Sequence, residues 1–186
     1  MSINTEKYGI IAYIITLFFF ASMEALAKYL SDSFTVIQIV WARYVFQFIL
    51  VIIIIFIIEI FGYNTGIKKP KLLKVHLLRS LSLVLMTYCF FASLSKLPLV
   101  EATIISFAFP LITVLLSPFV LKEKFTISSL LAVCIGFVGL IVALSPNINT
   151  ESFLENSEWL VGSLLGIASA FFFSLYQMLT RVIANV

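Results

Sequence analysis

Long, unbroken runs of apolar residues are the feature that most limits how this chain can fold. The run FILVIIIIFII, residues 48–58, carries no charge and no alternation of polar and apolar residues. Of the 186 residues, 62% are hydrophobic and 11% are charged, whereas about a quarter of the residues in a soluble domain are charged. A transmembrane β-strand would alternate polar and apolar residues. The runs therefore predict an all-α polytopic membrane protein.

Six apolar stretches are long enough to cross a bilayer, since about 20 helical residues span a hydrocarbon core of about 30 Å. They cover residues 8–30, 35–61, 75–95, 99–121, 126–144 and 159–184. Cytoplasmic loops carry an excess of lysine and arginine. We expect a cytoplasmic N-terminus, because nine of the twelve lysines and arginines then lie on or near the inside and three, Lys28, Arg43 and Lys96, lie outside.

The first and last of these stretches repeat one another at an offset of 153 residues, the separation of Gly9 from Gly162. The same offset aligns Phe18, Phe19 and Phe20 with Phe171, Phe172 and Phe173, Glu24 with Gln177, and Lys28 with Arg181. Five predicted helices lie within one period, which is an odd number, so the second copy begins on the opposite side of the membrane. Such inverted repeats are common among secondary transporters.

This period divides the chain into three parts. Residues 1–146 form a first repeat of five transmembrane helices, residues 147–158 form an extracytoplasmic loop, and residues 159–186 form the first helix of a second repeat. Four more helices would complete that repeat. We expect a longer protein or a second chain to supply them.

An ordered set of motifs resembles the EamA type of the drug/metabolite transporter superfamily. The set consists of Lys28-Tyr29-Leu30, Arg43, Arg79, Glu101-Ala102-Thr103, Phe109-Pro110, Leu121 to Glu123, Gly136 and Gly139. The ending E-x-x-x-K-Y-L of the first predicted helix is similar to that of bacterial S-adenosylmethionine carriers. The resemblance implies ten helices in two inverted repeats, of which this chain holds a five-helix EamA-type repeat plus the first helix of the second.

The same resemblance implies a secondary transporter of the bacterial inner membrane that moves a small-molecule metabolite by alternating access. The alternative is a non-transporting membrane subunit, or a half-transporter that needs a partner chain. We predict no enzymatic activity, because H-E-x-x-H and G-x-S-x-G motifs are absent and the one histidine has no partner. No cofactor, metal site or nucleic-acid partner is predicted. The lipid bilayer is a predicted partner.

Polar residues within the predicted spans are candidates for function, because such residues are costly in a bilayer. Glu24 and Lys28, one helical turn apart, predict either an ion pair or a carboxylate that faces a central cavity. The substrate-binding candidates are Glu24, Gln177, Ser106, Glu101 and Arg43.

Three further interpretations remain open at this point. Glu101 either complements a helix dipole or lines the pathway, and Arg43 is expected to meet Glu24 or Glu101. Pro110 is the hinge candidate, with a static kink as the alternative. Small residues recur every four positions and predict a packing face, which consists of Gly162, Gly166, Ala170 and Ser174.

Overall fold

The computed structural model describes residues 3–62, 72–120, 126–144 and 157–184, and this part of the chain contains helices and no strand. The helices are α1 (Ile3–Leu30), α2 (Val36–Ile60), α3 (Leu73–Lys96), α4 (Leu99–Ser106), α5 (Phe109–Val120), α6 (Ile127–Leu144) and α7 (Ser157–Ala184). Five spans have the length and apolarity to cross a membrane, and α4 with α5 forms one of them; α6 carries a shorter apolar segment, Ile127–Gly139. The six predicted apolar stretches are confirmed as helical.

Parts of two predictions fall outside the described residues. The predicted loop 147–158 is described only at Ser157 and Glu158, which begin α7. The basic and acidic residues at 122–124, which include part of the family-like motif, are not among the described residues.

Local chemistry sets both ends of α2. The backbone N–H of Thr35, one of the donors that a helix start leaves unpaired, donates to Gln38 Oε1 at 2.9 Å, and the Thr35 hydroxyl donates to the same oxygen at 3.0 Å. After the last turn, Gly62 adopts a φ of 78°, and its N–H donates to the Glu59 carbonyl at 3.0 Å. Glycine tolerates this left-handed conformation, which ends the helix.

The centre of the bundle is the contact of α7 with α3, α4 and α5. The face predicted from small residues is confirmed, because all four of its members are buried. A Cβ atom on Gly162 would lie 2.7 Å from Leu97 Cγ, and one on Gly166 would lie 2.8 Å from Ile105 Cγ2. These glycines therefore allow α7 to approach its neighbours more closely than any other residue would.

The fourth predicted span is two helices rather than one kinked helix. The break lies at Phe107 and Ala108, where the Ala108 N–H donates to the Ile105 carbonyl at 3.1 Å in a tighter turn. Pro110 follows in the first turn of α5, a position that needs no N–H. Since Pro110 cannot donate to the Ser106 carbonyl, the proline ends α4 rather than bending it.

The second proline of this span stays inside α5. Pro118 deprives the Val114 carbonyl of its usual backbone donor. The Ser117 hydroxyl donates to that carbonyl instead, at 3.1 Å. Helix α5 therefore continues through Pro118 without a break.

Helices α1 and α2 lie at the edge of the bundle. Of their most apolar segments, 6% and 0% of the residues are buried, compared with 39% in α3 and 33% in α7. Their contacts with the rest of the molecule are made mainly to α3. In a membrane their exposed apolar faces meet lipid or further protein.

Candidate functional site

A cavity of about 380 Å³ lies between α1 and the central helices. Helix α1 contributes one face of its surface, and α3, α4, α5 and α7 provide the other walls. The lining residues are Tyr13, Thr16, Leu17, Phe20 and Glu24 of α1, Met86 and Phe90 of α3, Thr103, Ser106, Phe107 and Phe109 at the α4–α5 break, and Ser169, Ala170, Phe173 and Gln177 of α7.

The walls contributed by α1 and α7 correspond residue by residue. The four lining residues of α7 stand 153 positions after four lining residues of α1, which pairs Thr16 with Ser169, Leu17 with Ala170, Phe20 with Phe173, and Glu24 with Gln177. At the predicted repeat offset, α1 and α7 therefore present equivalent positions to one cavity. The polarity is kept in each pair, but the charge is present only at Glu24.

The α4–α5 break supplies polar groups to the cavity. Helix α7 forms hydrogen bonds with residues on both sides of this break. Ser106 Oγ and Ser169 Oγ are 3.1 Å apart. Beyond the break, the Ser174 hydroxyl donates to the Phe109 carbonyl at 2.8 Å. The predicted hinge residue, Pro110, follows directly. The break therefore lies where a change in the angle between α4 and α5 would reshape the cavity.

Aromatic rings form much of the remaining wall. The rings of Phe109 and Phe173 meet edge to face with centroids 4.6 Å apart, and Phe173 stacks on Tyr176 at 6.2 Å. The guanidinium of Arg79 lies 5.7 Å from the centroid of the Tyr176 ring. Ring faces attract cations and stack on planar groups. Tyr176 and Arg79 are not among the described lining residues. With the Glu24 carboxylate, the lining rings of Phe109 and Phe173 are suited to an organic cation.

Lys28 does not pair with Glu24, so the ion-pair interpretation is wrong. The Lys28 ammonium instead donates to the Leu94 carbonyl at 2.6 Å and to the Leu97 carbonyl at 3.0 Å. Within the described part of the chain, no ion pair or hydrogen bond holds the Glu24 carboxylate. That carboxylate is therefore available to a group that enters the cavity.

Glu101 is not one of the described residues that line this cavity. Its side chain is only 3% exposed, and its Oε2 accepts a hydrogen bond from Trp159 Nε1 at 2.8 Å. Because Glu101 lies in the first turn of α4 and Trp159 in the first turn of α7, this contact joins the starts of the two helices. Nearby, Lys96 Nζ and Glu158 Oε1 form an ion pair at 3.4 Å.

Arg43 also lies outside the described lining of the cavity. Its guanidinium is 5.6 Å from the centroid of the Phe91 ring and 6.0 Å from that of Tyr44. Glu24 is within electrostatic range, but the described residues contain no ion pair between Arg43 and either expected acid. Arg43 is therefore attracted by Glu24 without forming an ion pair with it among the described residues. The neighbouring ring faces also stabilise the charge.

Comparison with known proteins assigns the chain to a family. The model of the EamA-like transporter family matches residues 7–145, which is more than half of the chain. The chain belongs to the EamA-like transporter family. In this EamA-like chain the match covers α1 to α6 and ends before α7. A multi-pass membrane transporter family thus agrees with the helical fold and with the resemblance seen in the sequence.

Similar proteins come from two bacterial genera. A Helicobacter pylori (strain J99) protein named as an uncharacterized transporter is 29% identical over 178 residues, 96% of this chain and 56% of the relative. An S-adenosylmethionine uptake transporter of Rickettsia bellii is 30% identical over 169 residues, 91% of this chain and 55% of the relative. The EamA-like chain therefore spans about half the length of these relatives. No solved structure matches it.

Sequence reasoning missed several lining residues for which the sequence carried a signal. The 153-residue offset that pairs Glu24 with Gln177 also aligns Thr16 with Ser169. When the offset is applied to the lining residues of α1, it identifies every lining residue that α7 contributes. No comparable signal identified Met86 or Phe90, which reach the cavity through the packing of α3.

Proposed function

We propose that this EamA-like protein is a secondary transporter that moves a small organic cation across the bacterial inner membrane by alternating access. The observation that carries the proposal is the cavity between α1 and α7. The proposal is supported by the two corresponding faces of this cavity, by the Glu24 carboxylate, which has no ion pair or hydrogen bond among the described residues, and by the aromatic walls, all of which lie between the predicted first repeat and the start of the second. Transporters built from inverted repeats bind substrate at such an interface.

The chemistry of the lining favours a substrate with one cationic group and a planar or apolar part. The Glu24 carboxylate can accept hydrogen bonds from an ammonium group or attract a sulfonium ion. Gln177 offers both a donor and an acceptor, and Ser106 offers a hydroxyl. The rings of Phe20 and Phe173 can stack on a planar base or attract the cation.

S-adenosylmethionine is the first substrate to test. It combines a sulfonium, an ammonium and a purine ring, which suit the carboxylate and the aromatic walls. The proposal is supported by the Rickettsia relatives, two of which are 30% identical to this chain and are named S-adenosylmethionine uptake transporters. The Helicobacter relatives carry no substrate in their names.

The transport cycle follows from the inverted repeats. Rocking of one repeat against the other exposes a site between them alternately to each side of the membrane. The break between α4 and α5, with Pro110 as the hinge, gives the wall of the cavity a point at which to bend. The sequence contains no G-x-x-x-x-G-K-[ST] motif, so a gradient or an exchanged solute is the proposed energy source.

Uptake into proteoliposomes tests the function. Radiolabelled S-adenosylmethionine should accumulate in vesicles that contain the protein and not in empty vesicles. Excess unlabelled S-adenosylmethionine should compete, whereas S-adenosylhomocysteine, which lacks the sulfonium charge, should compete much less. Equal competition by the two compounds would show that the cavity does not recognise the sulfonium charge. No accumulation above that of empty vesicles, by this chain alone and together with a chain that supplies the four further helices, would reject this substrate.

The proposed orientation places the N-terminus in the cytoplasm. It is supported by the distribution of lysine and arginine along the sequence. A cysteine introduced at Asp32, between α1 and α2, should react with a membrane-impermeant maleimide in intact cells. A cysteine at Leu72, at the start of α3, should react only after the membrane is permeabilised. The reverse pattern would invert the topology.

A further inference from the structure

The turn between α3 and α4 leaves a carbonyl without its backbone donor. Pro98 stands four residues after Leu94 and has no N–H, so α3 cannot continue to satisfy the Leu94 carbonyl. The last backbone bond at this end is from the Leu97 N–H to the Ser93 carbonyl, at 2.9 Å. Both leucines are 1% exposed. A buried carbonyl in a membrane protein is costly unless another group donates to it.

Lys28 of α1 supplies that donor. Its ammonium lies 2.6 Å from the Leu94 carbonyl and 3.0 Å from the Leu97 carbonyl, although 66 and 69 residues separate the partners in the chain. The C-terminal end of a helix carries partial negative charge. The cation is therefore held by two charge-assisted hydrogen bonds and by the dipole of α3.

These bonds form near the place where the described side chains of α1 are packed most firmly. Ala27, next to Lys28, is 5% exposed and belongs to the hydrophobic core, and Met23 packs against the same core. By contrast, the side chains of α1 from Tyr8 to Ser22 are exposed. Helix α1 is thus attached to the bundle at the end that carries Lys28.

Glu24 lies one helical turn from this attachment. Since α1 is a continuous helix, fixing Lys28 at the end of α3 also fixes the depth and the rotation of Glu24 at the cavity. We infer that Lys28 is a positioning residue, which holds Glu24 at the substrate cavity by fastening α1 to the Leu94 carbonyl that Pro98 leaves free and to the Leu97 carbonyl. The inference rests on the proposed function, because it assigns Lys28 a part in the same site.

Distances between spin labels test the attachment without any ligand. In protein that lacks Cys89 and Cys134, labels at Ile10 and Leu77, both exposed and at the other end of α1 and α3, report the position of α1. Lys28→Met should make this distance longer and its distribution wider. Lys28→Arg, which keeps the donors, should restore the wild-type distribution. Lys96→Met is the matched control and should change nothing, because Lys96 forms only the partly exposed pair with Glu158.

A second pair of labels separates positioning from general damage to the fold. Labels at Leu81 of α3 and Leu164 of α7, both exposed, measure the central packing. This distance should stay at its wild-type value in Lys28→Met. An unchanged α1 distance in Lys28→Met, or a change in both distances, would overturn the inference.

Uptake gives the functional readout. Lys28→Met should raise the KM for labelled S-adenosylmethionine about tenfold with a smaller change in kcat, because a misplaced carboxylate weakens binding. Lys28→Arg should recover the wild-type KM. A wild-type KM in Lys28→Met would reject the positioning role. If the wild-type protein transports no S-adenosylmethionine, the proposed substrate fails, and the label distances still decide whether Lys28 holds α1.

Discussion

Phe20 of α1 and Phe173 of α7 stand 153 residues apart and line the same cavity. They are the central aromatic pair of two helical faces that correspond at four positions. In an inverted repeat, a local twofold axis in the membrane plane relates such faces. The part of the wall that α1 and α7 contribute is therefore expected to be nearly symmetric in shape. Its charge is not symmetric, because the residue opposite Glu24 is Gln177.

This asymmetry predicts that Glu24 carries most of the recognition of a cation. Glu24→Gln should lower kcat/KM for S-adenosylmethionine uptake by about ten- to a hundredfold, since a hydrogen bond to a charged group contributes roughly 1.5–3 kcal/mol. Glu158→Gln is the control, because that carboxylate is exposed and its ion pair contributes little. Equal uptake by Glu24→Gln and the wild type would remove Glu24 from the site.

The near symmetry of the cavity makes a second prediction. If the two faces are equivalent, a carboxylate at 177 can replace the one at 24. The double variant Glu24→Gln/Gln177→Glu should recover binding of labelled S-adenosylmethionine to within about tenfold of wild type, which is a loss of about 1.4 kcal/mol. Equilibrium binding to purified protein measures this. Binding no better than that of Glu24→Gln alone would show that the two positions are not interchangeable.

The fold was predictable where the pattern that determines it is local in the sequence. Apolar runs predict the helices, and the 153-residue offset predicts that Glu24 and Gln177 occupy equivalent positions. The break at Phe107 and Ala108 could be anticipated from Pro110, but its position two to three residues earlier depends on which carbonyl loses its donor. Local patterns therefore predict that a helix exists and that it is interrupted more reliably than they predict the residue at which the interruption occurs.

Contacts between distant helices could not be predicted. The bond from Lys28 to Leu94 depends on how α1 crosses α3, and helical spacing suggested the nearer partner, Glu24. Trp159 and Glu101 lie 58 residues apart, and nothing in their local sequences pairs them. Helix packing determines whether a side chain contacts a local or a distant partner, and this packing cannot be read from a single sequence.

The close contact of α7 with α4 predicts opposite effects of one substitution at two glycines. Gly166→Ala should destabilise the protein by about 1–3 kcal/mol, because the new Cβ would meet Ile105 Cγ2 at 2.8 Å. Gly136→Ala should be neutral or stabilising by up to about 1 kcal/mol, since a Cβ there meets nothing within 4 Å and alanine favours helix. Thermal unfolding in detergent measures both. A Gly166→Ala midpoint equal to that of Gly136→Ala would contradict this packing.

The hydrogen bond between Trp159 and Glu101 predicts a strong dependence of one substitution on the other. Trp159→Phe removes the indole donor and leaves Glu101 Oε2 buried, and Glu101 Oε1 already has no partner among the described residues. Leaving a buried acceptor unsatisfied costs about 1–3 kcal/mol or more for a charged group. Trp159→Phe should therefore lower the unfolding midpoint clearly.

In a Glu101→Met background the same change should have a much smaller effect, because replacing both partners by apolar groups of similar shape can be nearly neutral. Thermal unfolding of the wild type, both single variants and the double variant gives the coupling between the two side chains. Lys96→Met, which affects only the neighbouring ion pair at 3.4 Å, serves as the control for a general effect at this end of the bundle. Additive losses in the double variant would mean that the bond does not join the start of α4 to the start of α7.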